Sequence, residues 1–509
     1  MRTLVILADS VCRHMLEWYR PEGAAITPNL SRLAREGTVF DNHWCGSAPC
    51  MPARRDAMTG RINFLERPWG GIEPFDHTLP RILRNHGVYT RMVTDHYHYF
   101  EAGGENYHAD FTTWEFIRGQ EYDGYLQAPG PPGGEMHCGK ELRAYEANRT
   151  SFTDSDRFPS SVTYTSAARW IDEHHDSENW MLWVEGYDPH EPFDVPRRYL
   201  EMYEDRFAGK ELYWPKYVKS DFYTPEGLYH LRNRFRALLT MTDEYIGRIF
   251  DVLDARDLWH DTMVIFTTDH GFMLGEHGYV GKNYMPDYNE IFHIPLVIRH
   301  PESNGSRVEA LTQNIDLFPT ILEAHGADSR AGRNPIHGKS LLPLIDTDIP
   351  GFRDGVLYGI FGKTVNVTDG RYTYMKAPIR EDNSPLYAYC GMPSMLWQYL
   401  GPDSFSETDA ASVELGRLKW TPYPVYRIPH RIVHWVNYTL DFSSRNPLVQ
   451  EDLLFDITND YRQQKPVTDA FLHTEYDRLL CGLMEAHDAP DEQYLRLGLR
   501  QVCIDRTAR

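Results

Sequence analysis

Short apolar runs alternate with longer amphipathic segments along the first two-thirds of the chain. The apolar runs predict buried strands, whereas the amphipathic segments carry the spacing of helices. The predicted strands cover 3–9, 88–94, 180–188, 262–271 and 294–301, and the predicted helices cover 27–37, 79–87, 160–177, 226–256 and 310–326. Strands that alternate with helices form a mainly parallel sheet with helices on both faces. The pattern therefore predicts an α/β fold built on one large, mainly parallel sheet.

The pattern changes near residue 351, where β-rich runs flank an Asp369-Gly370 turn. Asp-Gly between two such runs is a hairpin signal, and a late helix is predicted over 467–487. We therefore predict two domains, a large α/β domain over 1–350 and a smaller α+β domain with an antiparallel sheet and a terminal helix over 351–509. The Gly- and Pro-rich segment 127–140 is interpreted as an excursion from the first domain.

The N-terminal apolar run is too short for a membrane helix or a secretion signal. It covers five residues before Asp9 and Arg13 interrupt it, whereas a membrane helix needs roughly 18 apolar residues. No other stretch of the 509 residues approaches that length. The sequence therefore predicts a buried first strand, no membrane span and a cytoplasmic location.

The formal net charge of the chain is −21. Such a charge disfavours nucleic acid and anionic membrane surfaces as partners. It also repels an anionic substrate, so a site for one must hold its own concentrated positive charge. The seven cysteines are scattered, without the short spacings of zinc or redox sites, and no disulfide framework is indicated.

Charged side chains follow three of the predicted strands. Asp9 ends the first strand, Asp188 and His190 follow the third, and Asp269 and His270 end the fourth. In an open parallel sheet, ligands bind beyond the carboxyl ends of the strands. A single acid after a strand is usually a turn or helix cap, but the coincidence of three such positions on one sheet edge favours a binding site.

The segment CMPARRDAMTG, which begins at Cys50, has the signals of a short helix. Pro52 suits the first helical position, and Thr59-Gly60 suits the end. Cys50 then lies at the helix N-terminus, where unpaired N–H groups and the helix dipole favour negative charge. Arg54 follows one turn later and can reach back towards a group held at Cys50.

The pentapeptide CMPAR at Cys50, with Thr59-Gly60 after it, resembles the signature of the type I sulfatases of the alkaline phosphatase superfamily. Other segments resemble landmarks of that family in the same order, namely ILADS at 6–10, DPHEP at 188–192, the stretches 247–282 and 289–301, and LLFDITND at 453–460. The resemblance implies an alkaline phosphatase-like fold. It also implies that a maturation enzyme oxidises Cys50 to formylglycine, whose hydrate is the nucleophile of the family.

The resemblance also implies a role for each candidate side chain. It implies one divalent metal ion, Ca²⁺ or Mn²⁺. The implied metal ligands are Asp9, Cys50, Asp269 and His270. Arg54 would hold the hydrate, while His190 and Lys282 would bind sulfate oxygens or protonate the leaving oxygen. One hydroxyl of the hydrate can attack sulfur and the other can later expel sulfate. A cluster of cations at this site would also supply the concentrated positive charge that an anionic substrate needs in a chain of this net charge.

Two positions depart from the commonest pattern of the family. Ser10 stands where many members have a second aspartate, and His270 stands where many have asparagine. This combination resembles the phosphonate monoester hydrolase and promiscuous arylsulfatase branch, which favours manganese, although sugar sulfatases that use calcium also contain Asp-His. A nitrogen ligand shifts the preference towards transition ions. The metal stays open between Mn²⁺ and Ca²⁺.

The family's Lys-x-His pair has no clear counterpart in this chain. The segment TDHYHYF at 94–100 offers Asp95, His96 and His98 but no lysine. We predict that these three side chains bind the substrate, with Asp95 in contact with a hydroxyl group or a cation.

Three functional hypotheses follow. The first is hydrolysis of a small sulfate monoester of a sugar, aryl or alkyl alcohol. The second is hydrolysis of a phosphonate monoester or a phosphodiester by the same hydrate. The third is a non-catalytic metal-binding homologue, which the complete set of candidate residues disfavours. The expected partners are the substrate and the formylglycine-generating enzyme, with no nucleic acid and no membrane, and a homo-oligomer is left open.

Overall fold

The computed structural model describes residues 1–101, 104–126, 129, 143–328, 332–393, 410–429 and 451–507. The Gly- and Pro-rich segment 127–140 therefore lies almost wholly outside the described residues. No membrane-spanning candidate is found among the described helices, since each is too short or too polar.

The described elements are as follows. The strands are β1 (Arg2–Ala8), β2 (Thr38–Phe40), β3 (His43–Trp44), β4 (Ser47–Ala48), β5 (Tyr89–Thr94), β6 (Thr113–Phe116), β7 (Trp180–Gly186), β8 (Val218–Lys219), β9 (Thr262–Thr267), β10 (Met273–Leu274), β11 (Tyr279–Gly281), β12 (Leu296–Arg299), β13 (Ser306–Val308), β14 (Thr312–Gln313), β15 (Val356–Ile360), β16 (Val365–Thr368), β17 (Tyr372–Lys376), β18 (Tyr387–Cys390), β19 (Glu414–Arg417), β20 (Pro424–Pro429) and β21 (Leu453–Asp456). The α-helices are α1 (Pro28–Glu36), α2 (Cys50–Thr59), α3 (Leu79–Asn85), α4 (Arg143–Arg149), α5 (Pro159–Glu173), α6 (Arg197–Leu200), α7 (Pro225–Ala255), α8 (Asn289–Phe292), α9 (Leu317–Ala324), α10 (Ala470–Ala486), α11 (Asp491–Arg496) and α12 (Arg500–Thr507).

A large sheet with the strand order β13-β2-β12-β9-β1-β7-β5-β6 forms the centre of the fold. β9, β1, β7, β5 and β6 run parallel to one another. β12, which lies within the predicted strand 294–301, runs antiparallel to both β9 and β2. The predicted α/β fold with a mainly parallel sheet is confirmed, and β12 is its antiparallel exception.

Both faces of β1 are buried, which explains why its sequence is a continuous apolar run rather than an alternating one. Leu4 and Ile6 face a core that they share with α5 and α7. Val5 and Leu7 face a second core that includes α2, α3 and α9. Helices thus cover both faces of the sheet, and the carboxyl ends of β1, β7 and β9 meet at one edge.

The predicted helix over 310–326 is wrong at its N-terminal end. Thr312–Gln313 form β14, which pairs with β3, and α9 begins only at Leu317. A capping box formed by Gln313 and Asp316 lies at the start of the short helical turn that joins β14 to α9. Its two reciprocal hydrogen bonds satisfy backbone donors at this point, so the strand ends and the helical turns begin.

A second sheet has the order β21-β17-β16-β15-β4. Its β16–β17 hairpin turns at Asp369-Gly370, where Gly370 has a φ of 88°, a left-handed conformation that favours glycine. β4 comes from the N-terminal part of the chain and pairs with β15, so this sheet reaches the residues just before Cys50. The domain division at residue 350 stays a prediction.

One disulfide is present among the described residues, although the sequence indicated none. Cys481 in α10 and Cys503 in α12 are joined across 22 residues. The two helices pack against each other, and a separation of this length gives no local signal in the sequence. The remaining described cysteines, Cys12, Cys45, Cys50 and Cys390, are free and buried.

Candidate active site

The carboxyl ends of β1 and β9 bring three predicted side chains together. The two strands are adjacent and parallel, and Leu7 of β1 lies opposite Thr267 of β9, so both strands end at the same level. Asp9 follows β1, while Asp269 and His270 follow β9. All three side chains are buried and therefore face one another rather than solvent.

Helix α2 brings Cys50 to the same point. The ligating atoms of Asp9, Cys50, Asp269 and His270 lie within 4.8 Å of one another. The Sγ atom of Cys50 lies 3.2 Å from Nε2 of His270 and 3.5 Å from Nζ of Lys282. Burial raises the pKa of the Cys50 thiol, and the Asp9 carboxylate raises it further. Unmodified Cys50 is therefore a protonated thiol, which is a weak nucleophile.

Asp56 and Gly60 fix the two ends of α2. The carboxylate of Asp56 accepts hydrogen bonds from the backbone N–H of Ser47 at 2.6 Å and from the Ser47 hydroxyl at 2.8 Å. The backbone N–H of Asn63 donates to the same carboxylate at 3.1 Å. Gly60 ends the helix with a φ of 67°, in the left-handed conformation of a helix C-cap. These contacts hold the helix, and with it Cys50, against the sheet edge.

Arg54 lies one turn into α2 and is fully buried. Its Nη2 donates to Oδ2 of Asp9 at 2.8 Å. Its Nη1 donates to Oδ2 of Asp269 at 2.6 Å and to the backbone carbonyl of Cys50 at 3.0 Å. Its Nε donates to Oε1 of Glu185 at 2.6 Å. The guanidinium thus ties the helix that carries Cys50 to the ends of β1, β7 and β9.

Glu185 is a site residue that the sequence analysis missed. It is the next-to-last residue of β7 and is fully buried. Besides Arg54, it binds the Tyr99 hydroxyl at 2.7 Å and the Trp183 indole N–H at 3.1 Å, accepting both hydrogen bonds. Burial raises the pKa of Glu185, and Arg54 offsets part of the rise. The available signal was the single acid in the apolar strand WMLWVEG, because a buried acid almost always has a partner.

Buried acids outnumber buried bases in this cluster. The acids are Asp9, Glu185, Glu191 and Asp269, and the bases are Arg54 and Lys282. Burial alone would raise the pKa of Asp9, but Arg54 and the other nearby bases hold it well below its usual range. With neutral histidines the cluster has two more negative than positive charges, which matches one divalent cation. Carboxylate oxygens and an imidazole nitrogen therefore fit a divalent metal here.

Lys282 and His190 lie beside the cluster. Nζ of Lys282 is 3.3 Å from the Ser10 hydroxyl and 4.0 Å from the Glu191 carboxylate. Burial would lower the pKa of Lys282, but the nearby carboxylates of Glu191, Asp9 and Asp269 raise it, so it is a cation. Burial lowers the pKa of His190, whose Nδ1 lies 3.3 Å from Glu191, so its imidazole is neutral. The site thus contains both a proton donor and a proton acceptor.

The sequence model of the sulfatase family matches residues 2–327. The chain belongs to the sulfatase family. The multifunctional alkaline phosphatase superfamily protein PehA of Trinickia caryophylli is 30% identical over 373 residues, with 63% of this chain and 71% of PehA covered. The choline-sulfatase of Rhizobium meliloti is 24% identical over 490 residues, with 89% of this chain and 90% of the relative covered.

The phosphonate monoester hydrolase of Agrobacterium radiobacter has a solved structure with the same fold as this sulfatase. The TM-score is 0.67 at 19% sequence identity, and 96% of each chain is covered. The predicted family and fold class are therefore confirmed, and the protein is a sulfatase-family enzyme.

The segment after β5 places two histidines of this sulfatase near the cluster. Nε2 of His96 lies 3.3 Å from Oδ2 of Asp9, and neither ring nitrogen has a hydrogen-bond partner among the described residues. The His98 ring centre is 5.1 Å from that of His96. Burial would lower the pKa of His98, but Glu101 and Glu121 raise it to about 9. His98 is therefore a cation beside the site, and the predicted contacts of both histidines with substrate stay predictions.

Asp95 points to a different set of partners. Its carboxylate is buried and accepts hydrogen bonds from the Ser160 hydroxyl at 2.6 Å and the Gln120 amide at 2.9 Å. The backbone N–H of Tyr187 donates to it at 2.8 Å. Asp95 therefore steadies the turn that leads from β7 to His190, and its predicted contact with substrate stays a prediction.

Proposed function

We propose that this sulfatase hydrolyses a small sulfate monoester of a sugar, aryl or alkyl alcohol, with Cys50 converted to formylglycine as its nucleophile. The position of Cys50 carries the proposal, because its Sγ marks where a reactive oxygen of the modified side chain would stand. Sγ lies 3.2 Å from His270 and 3.5 Å from Lys282, at the start of α2. The Lys282 cation and the helix dipole both favour the negative charge of a bound sulfate.

Asp9, Asp269, His270 and the modified Cys50 would hold one divalent metal ion. When bound, such an ion neutralises sulfate oxygens and lowers the pKa of the attacking hydroxyl. Calcium takes oxygen ligands, whereas imidazole suits transition ions, so His270 favours Mn²⁺ over Ca²⁺.

The hydrate of the modified Cys50 carries two hydroxyl groups on one carbon, and each performs one step. The first hydroxyl loses its proton and bonds to sulfur, while the bond from sulfur to the alcohol oxygen breaks and that oxygen takes a proton. The second hydroxyl then loses its proton, the carbonyl double bond reforms, and the bond from carbon to the sulfated oxygen breaks to release sulfate. Water adds to the aldehyde and restores the hydrate.

Lys282 and His190 divide the proton transfers. The protonated Lys282 can donate to the leaving oxygen, and the neutral His190 can accept the proton of the second hydroxyl. A bound divalent ion would offset the two excess negative charges of the cluster, and Lys282 would then present its ammonium group to the substrate. The site would thus no longer repel an anion, although the chain has a net charge of −21.

Glu185 acts through Arg54 as a positioning residue. Asp9 and Asp269 would share their oxygens between Arg54 and the metal. Glu185 lies outside the set of metal ligands and binds Nε of Arg54 directly. Glu185 therefore keeps the Arg54 guanidinium in place when Asp9 and Asp269 bind the metal. Correct orientation of groups in an active site contributes to the rate of the reaction.

Hydrolysis of a phosphonate monoester or a phosphodiester by the same side chains is the second candidate. It is favoured by His270 in the metal cluster and by the similarity to PehA, whose name describes a multifunctional protein. The two candidates differ in the charge and shape of the group that is attacked rather than in the nucleophile.

A comparison of substrates decides between these two candidates. We expect kcat/KM for an aryl sulfate to exceed that for an aryl phosphonate and for a bis-aryl phosphate by at least about tenfold, or about 1.4 kcal/mol. Steady-state kinetics with 4-nitrophenyl esters of all three acids measure the ratio. A preference for the phosphonate or the diester would make the second candidate the function.

A non-catalytic homologue would leave Cys50 unmodified. This third hypothesis is tested by measuring the intact mass and the metal content of protein that is produced together with its own maturation enzyme.

Cys50 is 1% exposed, so the formylglycine-generating enzyme has to reach it before the chain folds.

His270→Ala is expected to weaken Mn²⁺ binding by more than about tenfold without unfolding the chain. The imidazole is one of four candidate ligands, but the sheet that carries it is complete without metal. Calorimetric titration of the metal-free protein and thermal melting measure the two effects. His260→Ala, which removes an exposed histidine, is the control and should bind Mn²⁺ like the wild type. Unchanged metal content in His270→Ala would show that the ligand assignment is wrong.

A further inference from the structure

A cavity of about 890 Å³ lies outside the candidate active site. Its basic lining residues include Arg13, Arg20, Arg232, Arg236 and Arg462, and its acidic lining residues are Glu22, Glu276 and Glu290. We call it the arginine cavity. No residue assigned above to nucleophile, metal or proton transfer lines it. The cavity thus has an excess of positive charge, whereas the chain as a whole has a net charge of −21.

Two of the five arginines have carboxylates nearby. Arg13 lies 3.6 Å from the carboxylate of Asp41 and stacks on the Tyr19 ring. Arg232 donates to a backbone carbonyl at 2.7 Å and lies 3.9 Å from Glu276. These two guanidiniums are therefore part of the wall and are held in place by it.

The other three arginines have no carboxylate partner in the part of the chain that the structure describes. Nη1 of Arg236 donates to the Asn233 amide oxygen at 3.2 Å, and its Nε is buried without a hydrogen bond to any described residue. The side chains of Arg20 and Arg462 make neither a hydrogen bond nor an ion pair with the described residues. Burial also lowers the pKa of Arg236, so its charge costs free energy unless an anion lies beside it.

We propose that the arginine cavity binds a sulfate or phosphate group, either free or as part of a small organic ester. Guanidinium groups present paired donors in a planar fork that matches the oxygens of such a group. Tyr461 also lines the cavity and offers exposed ring surface to the organic part of an ester. The volume lies in the range of roughly 300–1,000 Å³ that is usual for small-molecule sites.

The arginine cavity shares two chain segments with the candidate active site. Arg13 follows Asp9 on the segment that leaves β1. Glu276 lies in the turn between β10 and β11, and β11 ends at Gly281, just before Lys282. A ligand that binds Arg13 or displaces Glu276 therefore shifts the two segments that hold Asp9 and Lys282 in position. We expect binding in the cavity to change turnover without contact with the substrate. Charge and position alone define the arginine cavity, so its binding of an oxyanion does not depend on the proposed function.

Soaking crystals of the full chain with tungstate, a heavy tetrahedral oxyanion, tests the site in the wild-type protein. Anomalous density between Arg236 and Arg462 is the expected result. The tungstate concentration is raised until density appears beside Lys282, which shows that the soak has reached a buried oxyanion site. Density beside Lys282 without density in the arginine cavity would overturn the proposal.

Titration calorimetry with sodium sulfate at constant ionic strength tests the same site in solution. The double variant Arg236→Ala/Arg462→Ala should lose at least about tenfold in affinity at one sulfate site, because it removes two guanidinium groups that can form charged hydrogen bonds to the anion. Arg380→Ala removes an exposed arginine that pairs with Asp382, and it should bind sulfate like the wild type. Melting curves check that the variants fold. Wild-type affinity in the double variant would contradict the proposal.

A parallel titration with methyl sulfate distinguishes the two sources of the group. Tighter binding of methyl sulfate than of sulfate supports an organic ester as the ligand. Tighter binding of sulfate supports the free anion, which the proposed reaction releases. Both affinities are taken at the site that the Arg236→Ala/Arg462→Ala variant weakens, so that binding beside Lys282 does not count. Either order of affinities at that site retains the arginine cavity as an oxyanion site, whereas binding of neither anion there rejects it.

Discussion

Cys50→Ala is expected to lower kcat/KM for a sulfate ester by roughly 10⁴-fold or more while the chain keeps its fold. Lys282, Arg54 and the metal ligands can still bind and polarise the sulfate group, but no side chain with two hydroxyl groups remains to attack sulfur. A small residue at the start of α2 leaves the surrounding core intact, so thermal melting should change little. Steady-state kinetics and circular dichroism measure the two properties.

Cys50→Ser should release about one alcohol per site and then stop. Its single hydroxyl can attack sulfur once, but no second hydroxyl is present to expel sulfate from the enzyme. Stopped-flow measurement of 4-nitrophenol release should show a burst without turnover, and intact mass should show one added sulfate group. Cys45→Ala, which removes a buried free cysteine five positions earlier, is the control and should turn over normally. Sustained turnover by either Cys50 variant would refute the proposed nucleophile.

Glu185→Gln should lower kcat about 100-fold with little change in KM. Glutamine keeps an oxygen acceptor and nearly the same volume, but it removes the charge that holds Nε of Arg54. The guanidinium is then drawn towards Asp9 and Asp269, where it competes with the metal for the same carboxylates. The Mn²⁺ affinity of the metal-free protein should therefore also fall, and calorimetry measures this without any substrate.

Two further variants separate a positioning role from a general need for a buried glutamate. Tyr99→Phe removes one hydrogen bond to Glu185 and should give an intermediate loss of kcat. Glu66→Gln changes another buried glutamate, which accepts a hydrogen bond from the Trp420 indole at 3.0 Å outside the site. It should bind Mn²⁺ like the wild type. If Glu185→Gln matches Glu66→Gln in metal affinity and kcat, Glu185 has only a structural role.

Local patterns in the sequence predict the main sheet. They also predict that Asp9, Asp269 and His270 lie together at one edge of it. Apolar runs with polar residues at their carboxyl ends identify buried parallel strands, and such strands end at a common edge. The helix signals around Cys50 are equally local, since Pro52 and Gly60 lie within the segment itself.

The features that were missed depend on contacts between distant parts of the chain. The single acid in the strand WMLWVEG signals a partner, but only the fold shows that this partner is Arg54, which lies 131 positions earlier. The antiparallel direction of β12 and the Cys481–Cys503 disulfide likewise follow from how elements pack rather than from their own sequences. The position of Asp95 after a strand is also visible in the sequence, but its three protein donors lie far along the chain and are not.

If Cys50 is oxidised as proposed, the pairing of β4 with β15 links that oxidation to the speed of translation. Ser47 and Ala48 lie just before Cys50, and their partners Gly359 and Ile360 are synthesised much later. A ribosome that adds about 5–20 residues per second needs roughly 15–60 s for the intervening stretch of about 300 residues. Until then the nascent segment just before Cys50 lacks its β15 partner strand. Under the proposed function, the fraction of chains that carry formylglycine would depend on the rate of oxidation relative to the rate of elongation, and slower codons between these positions should raise it.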